Sequence, residues 1–330
     1  MIKIAIIGCG DMGVLHARAL KQLSEAKIYA CCDLCESKAA AFANQFQAEY
    51  FTNQPERIFN DPAVVGVYLT TTTDSHLSLF SLAVKSGKHI FLEKPLAVSI
   101  GHAKQMAVLS GQNDLVQLTA FKFRFYEMVV KARQLIPDPF MVSVQIMDDP
   151  WGADFWANDP IAGGGNVISQ GIHGADLLHF LVGAEPEQVF AVGDNYHQPT
   201  GVIDNLSATF RFANGSAGSL VVGDSGTAPL VGKFMVQMHG KQGSVMLVDR
   251  LTRLHFKPAH TNTVQYYQGE EDGVLKENAV FIDIVNGAQQ LYPTIWDGFR
   301  AQMMIDVAIR SAQSRRAFPV LCRKNIEKYN

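Results

Sequence analysis

Two positions far apart in this 330-residue chain carry side chains suited to moving a proton. Lys94 stands in Glu93-Lys94-Pro95, directly after the apolar run Lys88 to Leu92, and the proline fixes how the chain leaves that run. Desolvation and a neighbouring cation can bring a lysine's pKa toward neutrality, which suits a proton carrier for alcohol–carbonyl chemistry. Away from a buried strand end the same Glu-Lys pair would be an ordinary surface ion pair. The second position is His173, in a segment where Gly163-Gly164-Gly165 precede a helical pattern. Ser169, His173 and Asp176 follow one another at spacings of four and three, which stacks them on one helix face. An imidazole there can hydrogen-bond a hydroxyl and relay its proton. His179 continues the progression as a packing or surface residue, and His173 by itself would equally serve as a structural histidine.

The elements that must hold these groups begin at the first residues. Lys3 to Gly13, KIAIIGCGDMG, is a short apolar run that breaks into Gly8, Gly10 and Gly13. The run reads as a buried parallel strand, and the glycines as a turn whose backbone approaches a ligand closely. Val14 to Leu23 then alternates at helical spacing, so the turn, with Asp11 and Met12 inside it, leads into a helix N-terminus. Amide hydrogens there suit a pyrophosphate, whereas the same glycines without this context would mark a plain turn. A second apolar run from Lys27 ends on Asp33, about 20 residues further on, the position of a carboxylate that grips a ribose diol and repels a 2'-phosphate. NAD is favoured over NADP, with Lys38 the one nearby cation that would argue otherwise.

Strand and helix patterns alternate onward through Val64 to Thr70, Ser75 to Ser86, Lys88 to Leu92, Ile100 to Leu109 and Leu115 to Phe121, as a doubly wound parallel sheet requires. Such sheets bind ligands beyond the carboxyl ends of their strands, where Thr71-Thr72-Thr73-Asp74-Ser75-His76 and Glu93-Lys94-Pro95 fall. Asp74 or Ser75 also suits a helix N-cap. From about residue 122 the pattern changes to strands at Met141 to Met147, Gln188 to Tyr196, Asn205 to Phe212, Ser216 to Val222, Gly232 to His239 and Ser244 to Val248. They form an antiparallel sheet with a hairpin turn at Asn214-Gly215. A late helix from Trp296 to Ser314 carries an apolar face. The expected fold is therefore α/β: an N-terminal Rossmann domain over 1–121, a hinge near Phe121 to Phe125, and an α+β domain over 122–330 with a large open, mostly antiparallel sheet. Trp151, Asp154 and Trp156, in DDPWGADFWANDP, are candidates for a substrate wall, because aromatic faces pack on sugar C–H surfaces and carboxylates bind hydroxyls; a plain packed loop is the alternative.

Composition sets outer limits. The formal net charge of −3 is spread without blocks, so no nucleic-acid stripe or membrane-surface patch is expected. Neither a secretory signal pattern nor a membrane-spanning apolar run is present, and a cytoplasmic location is expected. Five cysteines give no disulfide framework. Cys32 and Cys35 form C-x-x-C beside Cys31, but Cys9 and Cys322 stand alone and no second ligand pair completes a zinc site, so no metal is expected.

Taken in order, these motifs resemble the glucose-fructose oxidoreductase, inositol dehydrogenase and MocA family. The resemblance rests on the glycine fingerprint, Asp33, TTTDSH, GKHIFLEKPLA from Gly87, FKFRF from Phe121, GGGNVISQGIHGADLL and YPTIWDGFRAQMMIDVAIRSA, and it covers essentially the whole chain. It implies oxidation or reduction at a hydroxyl of a sugar, sugar derivative or cyclitol, and a homo-oligomer, dimer or tetramer, built through the second sheet. Carried over by position, Lys94 would be the catalytic lysine and His173 its partner. Glu93 and Pro95 would shape the nicotinamide pocket, Thr71, Thr72 and His76 would line the cofactor with Lys122, and Arg124 would face the cofactor and substrate. Ser169, Gln170 and Asp176 would border the substrate.

Three positions depart from the family pattern. Thr72 replaces a usual proline, and Lys122 replaces an asparagine common in members, adding a cation. Ser169 stands where inositol dehydrogenase-like members carry an aspartate that completes a Lys-Asp-His set, which leaves Asp176 as the residue to orient His173. The expected chemistry is hydride transfer between a secondary alcohol carbon and nicotinamide, Lys94 accepting the proton and His173 positioning the hydroxyl. Two alternatives stay open: a glycosidase that retains NAD and works by transient oxidation, and a noncatalytic NAD-binding regulator.

Overall fold

The computed structural model describes residues 1–228 and 232–321; Cys322 lies outside the described residues. In chain order the first elements are β1 (Ile2–Ile7), α1 (Asp11–Leu20), β2 (Ala26–Cys32), α2 (Glu36–Phe46), β3 (Tyr50–Thr52) and α3 (Pro55–Phe59). Then come β4 (Gly66–Leu69), α4 (His76–Lys85), β5 (His89–Leu92), α5 (Ile100–Ser110) and β6 (Gln117–Thr119). The second half opens with α6 (Glu127–Leu135), β7 (Pro139–Met147), α7 (Asn166–Ser169) and α8 (Gly171–Val182). Its strands continue as β8 (Pro186–Asp194), β9 (Asn205–Phe212), β10 (Ala217–Gly223), β11 (Phe234–Gly240), β12 (Gly243–Val248), β13 (Arg253–Pro258) and β14 (Gln265–Gln268). The chain closes with α9 (Gly273–Val285), α10 (Ile295–Ser314) and β15 (Phe318–Pro319).

Two compact units result. One comprises Met1–Lys122 together with Val274–Phe299, and the other takes Phe123–Gly273 and the chain from Arg300 onward. A division into two contiguous halves makes no provision for this return. The residues of α9 belong to the first unit because their apolar side has a partner there. Phe281 is fully buried and meets Tyr68 at 5.4 Å and Phe91 at 5.7 Å, edge on, while those two rings stack at 4.4 Å. Burying one such ring contributes about 2–3 kcal/mol toward holding the returning helix.

In the first unit the strands run parallel in the order β3-β2-β1-β4-β5-β6. This is the doubly wound dinucleotide-binding order, with its reversal beside β1 and β4. Strands β1, β4 and β5 are apolar on both faces, as expected where helices cover both sides. Helix α1 begins at Asp11, earlier than the apolar spacing from Val14 suggests, and places Gly13 in its first turn. A Cβ at Gly13 would overlap the Gly8 carbonyl oxygen, so only glycine lets the helix start this close to the strand. The edge strand β3, three residues long, is too short to leave a periodic signature.

The second unit carries a nine-stranded sheet in the order β14-β13-β12-β11-β7-β10-β9-β8-β15. Among the described residues β7 and β10 run parallel and the remaining neighbours antiparallel, which agrees with the mostly antiparallel sheet expected. Helix α8 packs on β7 and β10. Gly174 makes that approach possible, since a Cβ there would stand 2.5 Å from a Leu220 methyl. Strand β13, the edge strand β14 with its exposed polar residues, and the two-residue β15 are absent from the sequence reading.

Candidate active site

The glycine turn follows β1. Gly8 has φ +100°, and a Cβ there would stand 2.7 Å from the Thr70 backbone, so the position demands glycine twice over. Thr70 Oγ1 donates to the Gly8 carbonyl at 2.8 Å and pins the turn to the end of β4. Gly10 differs: φ is −80°, and nothing lies within 4 Å of the place its Cβ would occupy. It precedes α1 without any side-chain cap. A bare helix N-terminus facing open space is a cradle for an anion, and the turn therefore fits the pyrophosphate of a dinucleotide. Met12 and Asp11 are exposed at the same helix start.

Asp33 follows β2 and its carboxylate is fixed by two backbone amides, Cys9 N–H to Oδ2 at 2.9 Å and Cys35 N–H to Oδ1 at 2.9 Å. The turn and the acid are thus one hydrogen-bonded assembly, and both carboxylate oxygens keep lone pairs for a ribose diol. The neighbouring cysteines are core residues: Cys9, Cys31 and Cys32 are buried, and burial beside Asp33 pushes the Cys32 thiol up to about 12.

Beyond β4, Thr71 accepts a hydrogen bond from Ser75 Oγ at 2.6 Å, and Thr72 is exposed. His76 opens α4, 1% exposed, with Nδ1 2.9 Å from the Pro95 carbonyl and Nε2 3.2 Å from the Thr71 carbonyl. Burial holds its pKa below the usual histidine range, against the pull of the Pro95 and Thr71 carbonyls on the loops that leave β5 and β4. Beyond β5, Glu93 is buried, Lys94 is half-buried, and the Lys94–Pro95 bond is cis. Glu93 accepts the Lys94 amide through Oε2 at 3.0 Å and faces His16 Nε2 through Oε1 at 2.9 Å. Although burial works against the charge, His16 and Lys94 hold the Glu93 carboxyl below its usual range. Glu277 on α9 is the opposite case: burial and Glu93 keep its carboxyl well above that range, against the opposing pull of Lys122.

In the second unit α7 ends at Ser169 and α8 begins at Gly171, so the helix expected to carry Ser169, His173 and Asp176 is broken at Gln170. His173 is 6% exposed and lies 4.9 Å from the Phe123 ring. Arg124 grips Asp176 with two nitrogens, Nε at 2.8 Å from Oδ2 and Nη2 at 2.5 Å from Oδ1. Two residues assigned separately to the substrate are therefore joined in one nearly buried ion pair. Trp151, Asp154 and Trp156 line an open concavity with Phe155, and Trp156 is 48% exposed. The loop is held from beneath: Asp224 accepts the Trp151 amide at 3.1 Å, and Gln198 donates to the Trp151 carbonyl at 3.1 Å and to Asp224 at 2.6 Å.

His16, Asn278, Gln198 and Asp224 support these features, and only His16 has a signal in the sequence. Glu93 was the available signal for His16, since a buried acid needs a donor. Among the described residues no group of three or more His, Cys, Asp or Glu is placed to hold a metal ion, and no helix is long and apolar enough to cross a membrane.

The sheet order, the glycine cradle and the acid after β2 define a dinucleotide-binding Rossmann protein joined to a second sheet unit. The chain belongs to the Gfo/Idh/MocA oxidoreductase family: residues 2–120 match its NAD-binding Rossmann fold and residues 134–320 its C-terminal alpha/beta domain. It is an NAD-dependent oxidoreductase of the dehydrogenase kind. Similar proteins include the myo-inositol 2-dehydrogenase of Thermotoga maritima, 26% identical with 96% of this chain and 98% of that protein covered. The levoglucosan dehydrogenase of Pseudarthrobacter phenanthrenivorans is 24% identical, with 94% and 96% covered. A solved levoglucosan dehydrogenase in complex with NADH shares the fold at a TM-score of 0.90, with 22% identity and 97% of this chain and 99% of that chain covered.

Proposed function

We propose that this protein transfers a hydride between NAD and a secondary hydroxyl or carbonyl of a sugar, sugar derivative or cyclitol. The observation that carries the proposal is Glu93-Lys94-Pro95 at the end of β5, a lysine whose backbone amide is anchored to a buried, ionised glutamate, in the same unit as the glycine cradle and Asp33. The named inositol and levoglucosan dehydrogenases among its relatives support polyhydroxylated substrates. NAD supplies the hydride acceptor when bound. Lys94 takes the hydroxyl proton in the oxidation direction, and His173 hydrogen-bonds the hydroxyl and shares that proton. Gly8, Gly10 and Gly13 hold the pyrophosphate at the start of α1, and Asp33 holds the adenosine ribose and disfavours a 2'-phosphate.

Trp151, Asp154 and Trp156 form the substrate wall in this reading. Ser169 contributes a hydroxyl where related dehydrogenases carry a carboxylate, and Arg124 with Asp176 supports the helix that bears His173. Self-association through the second sheet belongs to the same proposal. The experiment is a turnover panel of cyclitols, anhydrosugars, free sugars and sugar acids, with NAD and NADP in parallel, on wild type and Lys94→Ala. Net NADH formation from free substrates, lost in Lys94→Ala, is the expected result. Cleavage of a glycoside without net NADH would favour the NAD-retaining glycosidase instead.

A further inference from the structure

Behind the Glu93-Lys94-Pro95 corner lies a chain of buried polar side chains whose hydrogen-bond directions can be worked out. His16, on α1, is fully buried, its ring set 4.7 Å from Phe91 and 5.7 Å from Tyr68. Its Nδ1 is 2.9 Å from Asn278 Nδ2, and its Nε2 is 2.9 Å from Glu93 Oε1. An amide nitrogen only donates, and Asn278 Nδ2 also donates to the Val274 carbonyl at 2.7 Å, so the amide cannot be reversed without setting two oxygens against each other. His16 Nδ1 must therefore accept. A single proton remains on the ring, at Nε2, and it is donated to Glu93. The second Glu93 oxygen accepts the Lys94 amide. With one donor on each oxygen, the plane of the carboxylate is fixed against the backbone that carries Lys94.

We propose that His16, locked by Asn278 in its neutral Nε2–H form, is a positioning residue that keeps Glu93 ionised and oriented and thereby sets the backbone from which Lys94 acts. The idea rests on the reading of Lys94 as proton acceptor. A purely structural tie between α1, β5 and α9 would also use these bonds, but it would not need Glu93 to be charged.

The charge is what the surroundings oppose. The titratable groups facing Glu93 are His16 from α1, His76 from α4, its neighbour Lys94, and Glu277 from α9, with Lys122 facing Glu277 in turn. Glu277 shows what this interior does to a carboxyl without such a donor: burial holds it well above its usual range, and its Oε2 has no hydrogen-bond partner. Glu93 escapes that fate through His16 first and Lys94 second.

The test compares His16→Phe, which fills the ring volume without a donor, with His16→Gln, whose amide N–H reaches toward Glu93. The full chain labelled with glutamate carboxyl carbon-13 reports Glu93 ionisation without any substrate, and the Lys94 amide resonance reports the anchored backbone. In wild type Glu93 titrates below the usual carboxylate range, held there by His16 and Lys94. In His16→Phe its titration moves up by one unit or more, toward neutrality, and the Lys94 amide follows it. His16→Gln restores most of the difference. With myo-inositol or levoglucosan as substrate and NAD as cofactor, the acidic limb of the kcat profile moves to higher pH in His16→Phe, and kcat at the optimum falls about tenfold while KM for NAD stays within about twofold.

Identical Glu93 titration in wild type and His16→Phe overturns the proposal. So does a restoration by His16→Gln no better than Phe, or a shifted titration with an unshifted kcat profile. Full turnover in Lys94→Ala would instead remove the proton role of Lys94 and leave the carboxyl titration to stand or fall separately.

Discussion

Alanine at Gly10 and alanine at Gly13 should fail in opposite ways. At Gly10 the backbone already has φ −80°, which any residue adopts, and nothing lies within 4 Å of the added methyl. The apo protein should lose no stability and should gain up to about 0.4–1 kcal/mol, because alanine narrows the unfolded ensemble. The methyl would nevertheless stand where the bare helix start meets the pyrophosphate. A tenfold loss of NAD affinity corresponds to about 1.4 kcal/mol, and at least that is expected.

At Gly13 the added carbon collides with the Gly8 carbonyl, a backbone atom held by Thr70, and neither can move alone. Overpacking of this kind costs about 1–3 kcal/mol, so melting should fall by several degrees without ligand. Calorimetry of the apo variants and NADH fluorescence titration read the two effects separately. Wild-type NAD affinity in Gly10→Ala, or unchanged apo melting in Gly13→Ala, would refute the placement of the cofactor and the packing argument respectively.

Two further outcomes follow from named contacts. Asp33→Asn keeps the side-chain shape but removes the charge, and its single amide oxygen can receive only one of the Cys9 and Cys35 amides. NAD affinity should fall about 5- to 10-fold while NADP use rises, measured as the ratio of kcat/KM for the two cofactors. Glu185 is held down to about 2 by His179 and by Arg300, which reaches its two oxygens at 2.9 and 3.0 Å. A depressed carboxylate contributes stability fully above its unfolded pKa and loses it as pH falls through the folded value. Glu185→Gln should therefore flatten part of the acid unfolding curve between about pH 4.5 and 2, an effect kept small by the partial exposure of Glu185.

What the chain discloses before folding is mostly local. The apolar runs ending at Gly8, Asp33, Thr70 and Glu93 mark strand ends, and in a doubly wound sheet strand ends are where ligands bind, so Lys94, Asp33 and the glycines could be singled out together. The antiparallel strands of the second unit are legible from their alternation and from Asn214-Gly215. Helix α9 is different. It has no place in the sequence analysis, and nothing local says that Phe281 packs on Tyr68 and Phe91, or that Asn278 meets His16 across 262 positions. The pairing of Arg124 with Asp176 is hidden for the same reason: each is expected at the substrate, and only the fold joins them to each other. The break at Gln170 was also unreadable, because spacings of four and three persist across a short helix that stops and restarts.

The most direct measurement of the central claim is the initial rate of NADH formation with NAD and the polyol and anhydrosugar panel, for wild type and Lys94→Ala side by side. At least one cyclitol or sugar should be oxidised with NAD preferred over NADP, and Lys94→Ala should lower kcat by about 10²- to 10⁴-fold while NADH still binds. No NADH from any member of the panel would contradict the sugar or cyclitol dehydrogenase reading, and undiminished turnover in Lys94→Ala would contradict the role given to Lys94.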